Sequence, residues 1–231
     1  MDLLDRARTA PTDPKYSPSG LRAGVVASPT VSAVAQVSIY LIRHGETALN
    51  AAGVLRGQLD VPLDEAGRAE AIALGDTFGQ IRLTTVVSSP LKRALDTAGP
   101  VASATGAAVL VDERLSDRFY GELAGQSLAK AEERFGSIDA APLVEAWQLL
   151  ESRAEEAFYD AARAGALAGR PVALVTHDAV LRALLGLLVP CLGAIKLDLP
   201  TGSWSKLVGD SPTGPFTAHE IGQLPAGGER P

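Results

Sequence analysis

Hydrophobic and polar positions along the chain fall into short apolar blocks separated by stretches of helical period. Ile39-Tyr40-Leu41-Ile42 is a continuous apolar run with β-branched and aromatic members. It gives way to Arg43-His44-Gly45 and reads as a buried strand bounded by a glycine turn. A loop follows from Ala48 to Pro62. Asp64 then caps a helix that runs to about Phe78, with Ala71, Leu74, Gly75 and Phe78 on one face. The run from Thr84 to Ser89 predicts a second buried strand. Pro90 stands where the first turn of a helix accepts proline, and that helix continues through Arg93. Ala107 to Val111 makes a third short strand. Gly121 and Gly125 punctuate the next loop, which carries Asp117, Arg118, Tyr120 and Glu122.

A long helix is expected after Pro142. Leu143, Trp147, Leu150, Ala154, Phe158 and Ala162 recur at helical spacing opposite a charged face, which is the pattern of a core stripe. Pro171 to Thr176 reads as a fourth strand and ends in His177-Asp178. The helix after it, Val180 to Leu188, is apolar almost all round and so belongs inside. Trp204–Val208 and Phe216–Ile221 are candidate closing strands. No internal repeat is visible. Strands alternating with helices predict an α/β fold: a three-layer αβα sandwich around a mainly parallel sheet, in a single domain.

Composition sharpens this picture at the ends of the chain. Residues 1–36 are rich in Ala, Ser, Pro and Thr and lack the basic-then-apolar order of a signal peptide, so a disordered leader is expected there. The catalytic domain is then expected over residues 37–222 and a flexible tail over 223–231. From Ala23 to Ile42 there is no charge, but Pro29, Gln36 and several Ser and Thr break the run, which excludes a membrane span. The net charge of −6 argues against affinity for nucleic acid or an anionic membrane. Any anionic ligand must therefore be drawn by a local cluster of arginine, and only five of the 21 basic residues are lysine. Cys191 is the single cysteine, which rules out a disulfide framework and fits a reducing, cytoplasmic setting. Beside an apolar helix, it is expected to be buried and inert.

Three predicted strands end in residues suited to one anion: Arg43-His44, Ser88 to Arg93, and Thr176-His177. Parallel strands bring those ends to one edge of the sheet, where ligand crevices form. A transferring phosphoryl group needs positioning and charge stabilisation more than covalent help from the protein. Two arginines and one histidine as donors, with a second histidine as nucleophile, meet that need without a metal or cofactor. A general acid must also protonate the leaving oxygen, and a carboxylate between Asp117 and Glu122 is the candidate.

These stretches resemble a known family. Leu41-Ile-Arg-His-Gly-Glu-Thr47, Ser88-Ser-Pro-Leu-Lys-Arg93 and Val175-Thr-His177 are similar to the signatures of the histidine phosphatase superfamily, in its phosphoglycerate-mutase-like branch. The similarity covers roughly residues 37 to 208. It implies a phosphohistidine mechanism in which His44 attacks phosphorus and Arg43, Arg93 and His177 hold the phosphoryl oxygens. It places Asn50, Arg56 and Gly57 at the substrate pocket. Leu115-Ser-Asp-Arg-Phe-Tyr-Gly121 resembles the mutase segment that carries the acid, with Asp117 on the family's Glu and one methylene shorter. Glu122 is the alternative acid; otherwise it is a surface charge. Asp178 stands where relatives commonly have Gly. It is either an N-cap of the next helix or a pocket residue whose backbone N–H faces the anion. His219 lies beyond the matched stretch and is expected to be structural.

Three activities fit: a metal-independent phosphomonoesterase for a small phosphorylated metabolite, a mutase that returns the phosphoryl group, and a non-catalytic phospho-ligand module. Mutases in the family carry a Lys about where Leu128 stands, and an Arg pair in a longer insert. Between Gly125 and Ala141 there are Lys130 and Arg134 but no Arg pair, which favours the phosphatase.

Overall fold

The computed structural model describes residues 36–193 and 196–226. The expected leader lies outside the described residues except for Gln36, as does the expected tail from residue 227 onward. Six strands form one sheet in the order β3-β2-β4-β1-β5-β6. β1 (Val37–Arg43), β2 (Thr85–Ser88), β3 (Ala108–Val111) and β4 (Val172–Thr176) run parallel. β5 (Trp204–Gly209) and β6 (Phe216–Gln223) close the sheet antiparallel.

The unbroken apolar runs follow from burial on both faces. In β1, Ile39 and Leu41 pack with α5 (Trp147–Ala168) and α6 (Asp178–Leu188), while Tyr40 and Ile42 pack with α2 (Glu65–Phe78) and α3 (Lys92–Thr105). β4 does the same, with Val172 and Leu174 toward one layer and Ala173 and Val175 toward the other. Burying a Leu- or Ile-sized side chain is worth about 1.5–3 kcal/mol, so a polar residue in either central strand would be costly on whichever face it fell. Asp64 caps α2 as expected, its side chain accepting from the Gly67 N–H at 2.8 Å.

Several local expectations are corrected. The loop after β1 contains a short helix, α1 (Ala48–Ala51), closed by a capping box between Thr47 and Asn50. Pro90 precedes α3 by two residues rather than lying in its first turn. A further helix, α4 (Leu128–Phe135), stands where only loop was expected. The long helix starts at Trp147, not after Pro142, and Leu143 is 73% exposed with a left-handed φ of 63°. Cys191 is exposed on a short 3₁₀ turn after α6, not buried. His219 lies on the edge strand β6 and is exposed.

One packing contact fixes the approach of α2 to the turn after β1. A Cβ on Gly67 would collide with the backbone oxygen of Glu46, and one on Gly45 would collide with the backbone oxygen of Gly67. No rotamer change relieves a clash with backbone. Gly67→Ala is therefore expected to destabilise the protein by about 1–3 kcal/mol, the cost of overpacking, despite alanine's better helix propensity. The urea midpoint reads this directly; an unchanged midpoint would mean the two segments are free to separate.

Candidate active site

β2, β4 and β1 are consecutive neighbours in the sheet, so the three polar strand ends share one edge. Arg43 pairs in register with Thr176, and Ser88 with Val175. Just beyond the strands, the His44 N–H donates to Thr176 O at 3.0 Å and the Ser89 N–H to Val175 O at 3.0 Å.

His44 is fully buried, with Nδ1 2.7 Å from Gly45 O. A carbonyl only accepts, so Nδ1 carries the proton and Nε2 presents its lone pair. That lone pair faces Arg93, whose Nε–H donates to it at 3.3 Å. Burial, reinforced by Arg93 and Arg43, holds His44 well below the ordinary histidine pKa, so the ring is neutral.

Arg93 is the largest fully buried side chain among the described residues. It also donates to Leu59 O and Gly57 O, both at 2.8 Å, and to Asp117 Oδ2 at 3.1 Å. Gly57 reaches this contact with a left-handed φ of 51°, and a Cβ there would press on Tyr120 and on Arg118 O. Asp117 is buried, and its other oxygen accepts from the Arg118 N–H at 2.9 Å. Burial outweighs Arg93 and Arg56 and pushes the Asp117 pKa up. Binding a phosphoryl dianion beside it would raise it further.

His177 is buried with its ring centroid 5.1 Å from that of His44. Its Nε2 lies 2.7 Å from Ser89 Oγ, while Nδ1 has no partner and sits 4.0 Å from Asp117 Oδ2. Burial, then Arg93 and His44, keeps this ring neutral too. Arg43 donates through Nη1 to Leu199 O and lies 3.5 Å from Asp178 Oδ1. Arg43 Nε, Arg56 Nε and His177 Nδ1 are all buried without a hydrogen-bond partner. Buried polar atoms are ordinarily paired, and three such donors in one cluster of basic side chains can serve an anion.

The structure thus brings together Arg43, His44, Arg93, Asp117 and His177, with Arg56 and Gly57 at their side. Asn50 is used locally: its Oδ1 accepts from Thr47 N and Oγ1 at 3.2 and 2.7 Å. Asp178 does line the cleft above the site but is not the N-cap, because His177, with extended backbone, takes that position. Its carboxylate instead binds Arg182 through both oxygens, at 2.8 and 3.1 Å. Glu122 is exposed and outside the cleft, as a surface charge would be.

Sequence reasoning missed Ser89 and Arg153. Ser89 stood inside the Ser88–Arg93 motif, directly after β2, but carried no role of its own there. Arg153 of α5 clamps the Asp117 loop through Arg114 O, Ser116 O and Asp117 O, at 2.7, 2.6 and 3.2 Å. Nothing in the helical pattern separates it from other residues of the charged face. The cleft itself has a volume of about 290 Å³. It is lined by Arg56, Asp117 and Asp178 of the site, whereas larger clefts beside Trp147 and Arg182 and beside Ile72 and Pro100 contain none of these three. Among the described residues, no group of three or more His, Cys, Asp or Glu is placed to hold a metal, and no helix is long and apolar enough to cross a membrane.

Arginine and two neutral histidines at a parallel-sheet edge have the chemistry to hold and transfer a phosphoryl group. Residues 39–219 match the histidine phosphatase superfamily (branch 1), which extends the matched stretch past residue 208 to include His219. A glucosyl-3-phosphoglycerate phosphatase of Mycobacterium tuberculosis is 31% identical over 191 residues, 74% of this chain and 80% of that protein. The "Probable phosphoglycerate mutase GpmB" of Escherichia coli is 31% identical over 180 residues, covering 74% and 78%. The mycobacterial glucosyl-3-phosphoglycerate phosphatase solved as a complex with VO3 superposes with a TM-score of 0.72 at 26% identity, over 80% of this chain and 98% of that one. The chain belongs to the histidine phosphatase superfamily, branch 1, and is a phosphoric monoester hydrolase of the histidine phosphatase type.

Proposed function

We propose that this enzyme hydrolyses a small phosphorylated metabolite, without a metal, through a phosphohistidine on His44. The observation that carries this reading is the fixed tautomer of a neutral His44, whose Nε2 lone pair points among cationic side chains. Nε2 attacks phosphorus, forming an N–P bond as the ester P–O bond breaks. Asp117, whose carboxyl burial pushes upward in pKa, gives a proton to the leaving oxygen. The Asp117 carboxylate then takes a proton from water, the resulting hydroxide attacks phosphorus, and the N–P bond breaks to release phosphate and neutral His44. Arg43, Arg56, Arg93 and His177 Nδ1 stabilise the equatorial oxygens. Arg93 frees its Nε–H for this purpose when His44 Nε2 engages phosphorus.

Hydrolysis rather than mutase chemistry is favoured by the segment from Gly125 to Ala141. Arg134 stacks on Phe135 at 4.7 Å, Lys130 is exposed, and neither lines the cleft. A panel of phosphorylated metabolites assayed for phosphate release, with and without EDTA, tests the proposal. Release unchanged by the chelator is expected. Loss in EDTA that Mg²⁺ or Zn²⁺ restores, or no release from any ester, would contradict it.

A further inference from the structure

Resting on that phosphatase reading, we infer that the cleft selects phosphomonoesters whose alcohol carries no second anionic group, and that Asp178 is a specificity-determining residue for this choice. Positive charge is concentrated at the phosphoryl centre. Arg43 and Arg93 sit at the phosphoryl site, and the charge of Arg56 is felt at His44, Arg93, Asp117 and His177, that is, at the same centre. Arg56 is the only cation in the lining of the cleft among the described residues. Arg118, next in sequence to Asp117, is spent elsewhere: Nη2 donates to Asp139 Oδ1 at 2.6 Å and Nε to Glu145 O at 2.9 Å.

What remains to meet the alcohol is apolar or negative. Leu55, Leu128 and Ile138 form the walls, and Tyr120 adds an uncharged ring. Leu55, Ile138 and Tyr120 are backed by a small cluster around Leu123 and Ala131, which holds them in place. Besides Asp117, which the reaction uses, the carboxylate in this lining is Asp178. Arg182 binds both of its oxygens and Arg43 Nη1 lies 3.5 Å from Oδ1, so its charge is partly compensated and its orientation set by these partners, while its side chain stays 30% exposed. A carboxylate or second phosphate on the substrate would find no free donor there and would approach a fixed like charge. Juxtaposing like charges at a binding surface is the usual means of rejecting a wrong partner.

Glycerol 3-phosphate and 3-phosphoglycerate test this cleanly. They are nearly equal in size and both release a primary alcohol, but one carries a hydroxymethyl group where the other carries a carboxylate. The readout is the ratio of kcat/KM, or of Ki against p-nitrophenyl phosphate for an ester that is not turned over. The wild-type enzyme is expected to favour glycerol 3-phosphate by about tenfold, the size of a partly screened like-charge contact. Asp178→Asn removes the repelling charge, and Leu128→Lys adds a cation at an exposed position of the lining; each should shrink the ratio to about threefold or less. A wild-type ratio at or below one, or a ratio that neither variant moves, would overturn the inference while leaving the phosphatase intact. No turnover of any ester, p-nitrophenyl phosphate included, would overturn the phosphatase reading and this inference with it.

Discussion

Replacing His44 with alanine should abolish turnover. A covalent nucleophile cannot be substituted by its neighbours here: Arg43 and Arg93 are cationic, and His177 Nε2 is engaged with Ser89. Losses of about 10⁴-fold or more accompany removal of such a group. The fold should survive, because the backbone N–H and C=O of residue 44 keep their partners, Thr176 O and the Gly202 N–H. The variant should also be less sensitive to acid. The folded protein resists protonating His44, whereas the unfolded chain takes up that proton near an ordinary pKa of about 6.5. The contribution of His44 to stability is thus full above that value and is lost as pH falls below it. His177 behaves likewise, so acid sensitivity should be reduced, not eliminated, in His44→Ala. Urea midpoints measured at neutral pH and at about pH 5 read the difference.

Asp117→Asn should cost about 10²–10⁴-fold on alkyl phosphates, the usual contribution of general acid catalysis, and far less on p-nitrophenyl phosphate. An alkoxide needs a proton to leave and a nitrophenolate scarcely does. In the wild type, kcat on an alkyl ester should fall as pH rises through the elevated Asp117 pKa, because the proton to be donated is gone. That limb should vanish in Asp117→Asn. Glu122→Gln, by contrast, should leave both substrates nearly unchanged, since Glu122 is exposed away from the cleft. If Glu122→Gln shows the leaving-group-dependent loss instead, the two carboxylates exchange roles.

The parts of this fold that were legible in the sequence are those buried on both sides. β1, β2 and β4 read as apolar runs because both faces are covered, and their polar ends stand out against those runs. Elements whose pattern is set by tertiary contacts were not legible. Leu143 matches the helical period of α5 by coincidence, yet the helix begins four residues later and leaves it in solvent. α4 is eight residues long and fully buries only Ala131, with Phe135 packed partly buried beside it, a short and weak pattern to separate from loop. Asp178 has the right chemistry for an N-cap, but His177 occupies that position and leaves the carboxylate to Arg182. The site shows the same division. Its histidines and arginines lie in short local motifs, whereas the carbonyls of Gly57 and Leu59 that hold Arg93 come from a loop more than 30 residues earlier.

The central claim is that phosphorus becomes bonded to His44. Brief incubation with a ³²P-labelled phosphomonoester, followed by denaturation without acid, should trap label on the wild-type protein. The linkage should be labile in acid and stable in base, as expected of a phosphoramidate, and His44→Ala should carry none. Label that persists on His44→Ala, or a linkage stable in acid, would contradict the account.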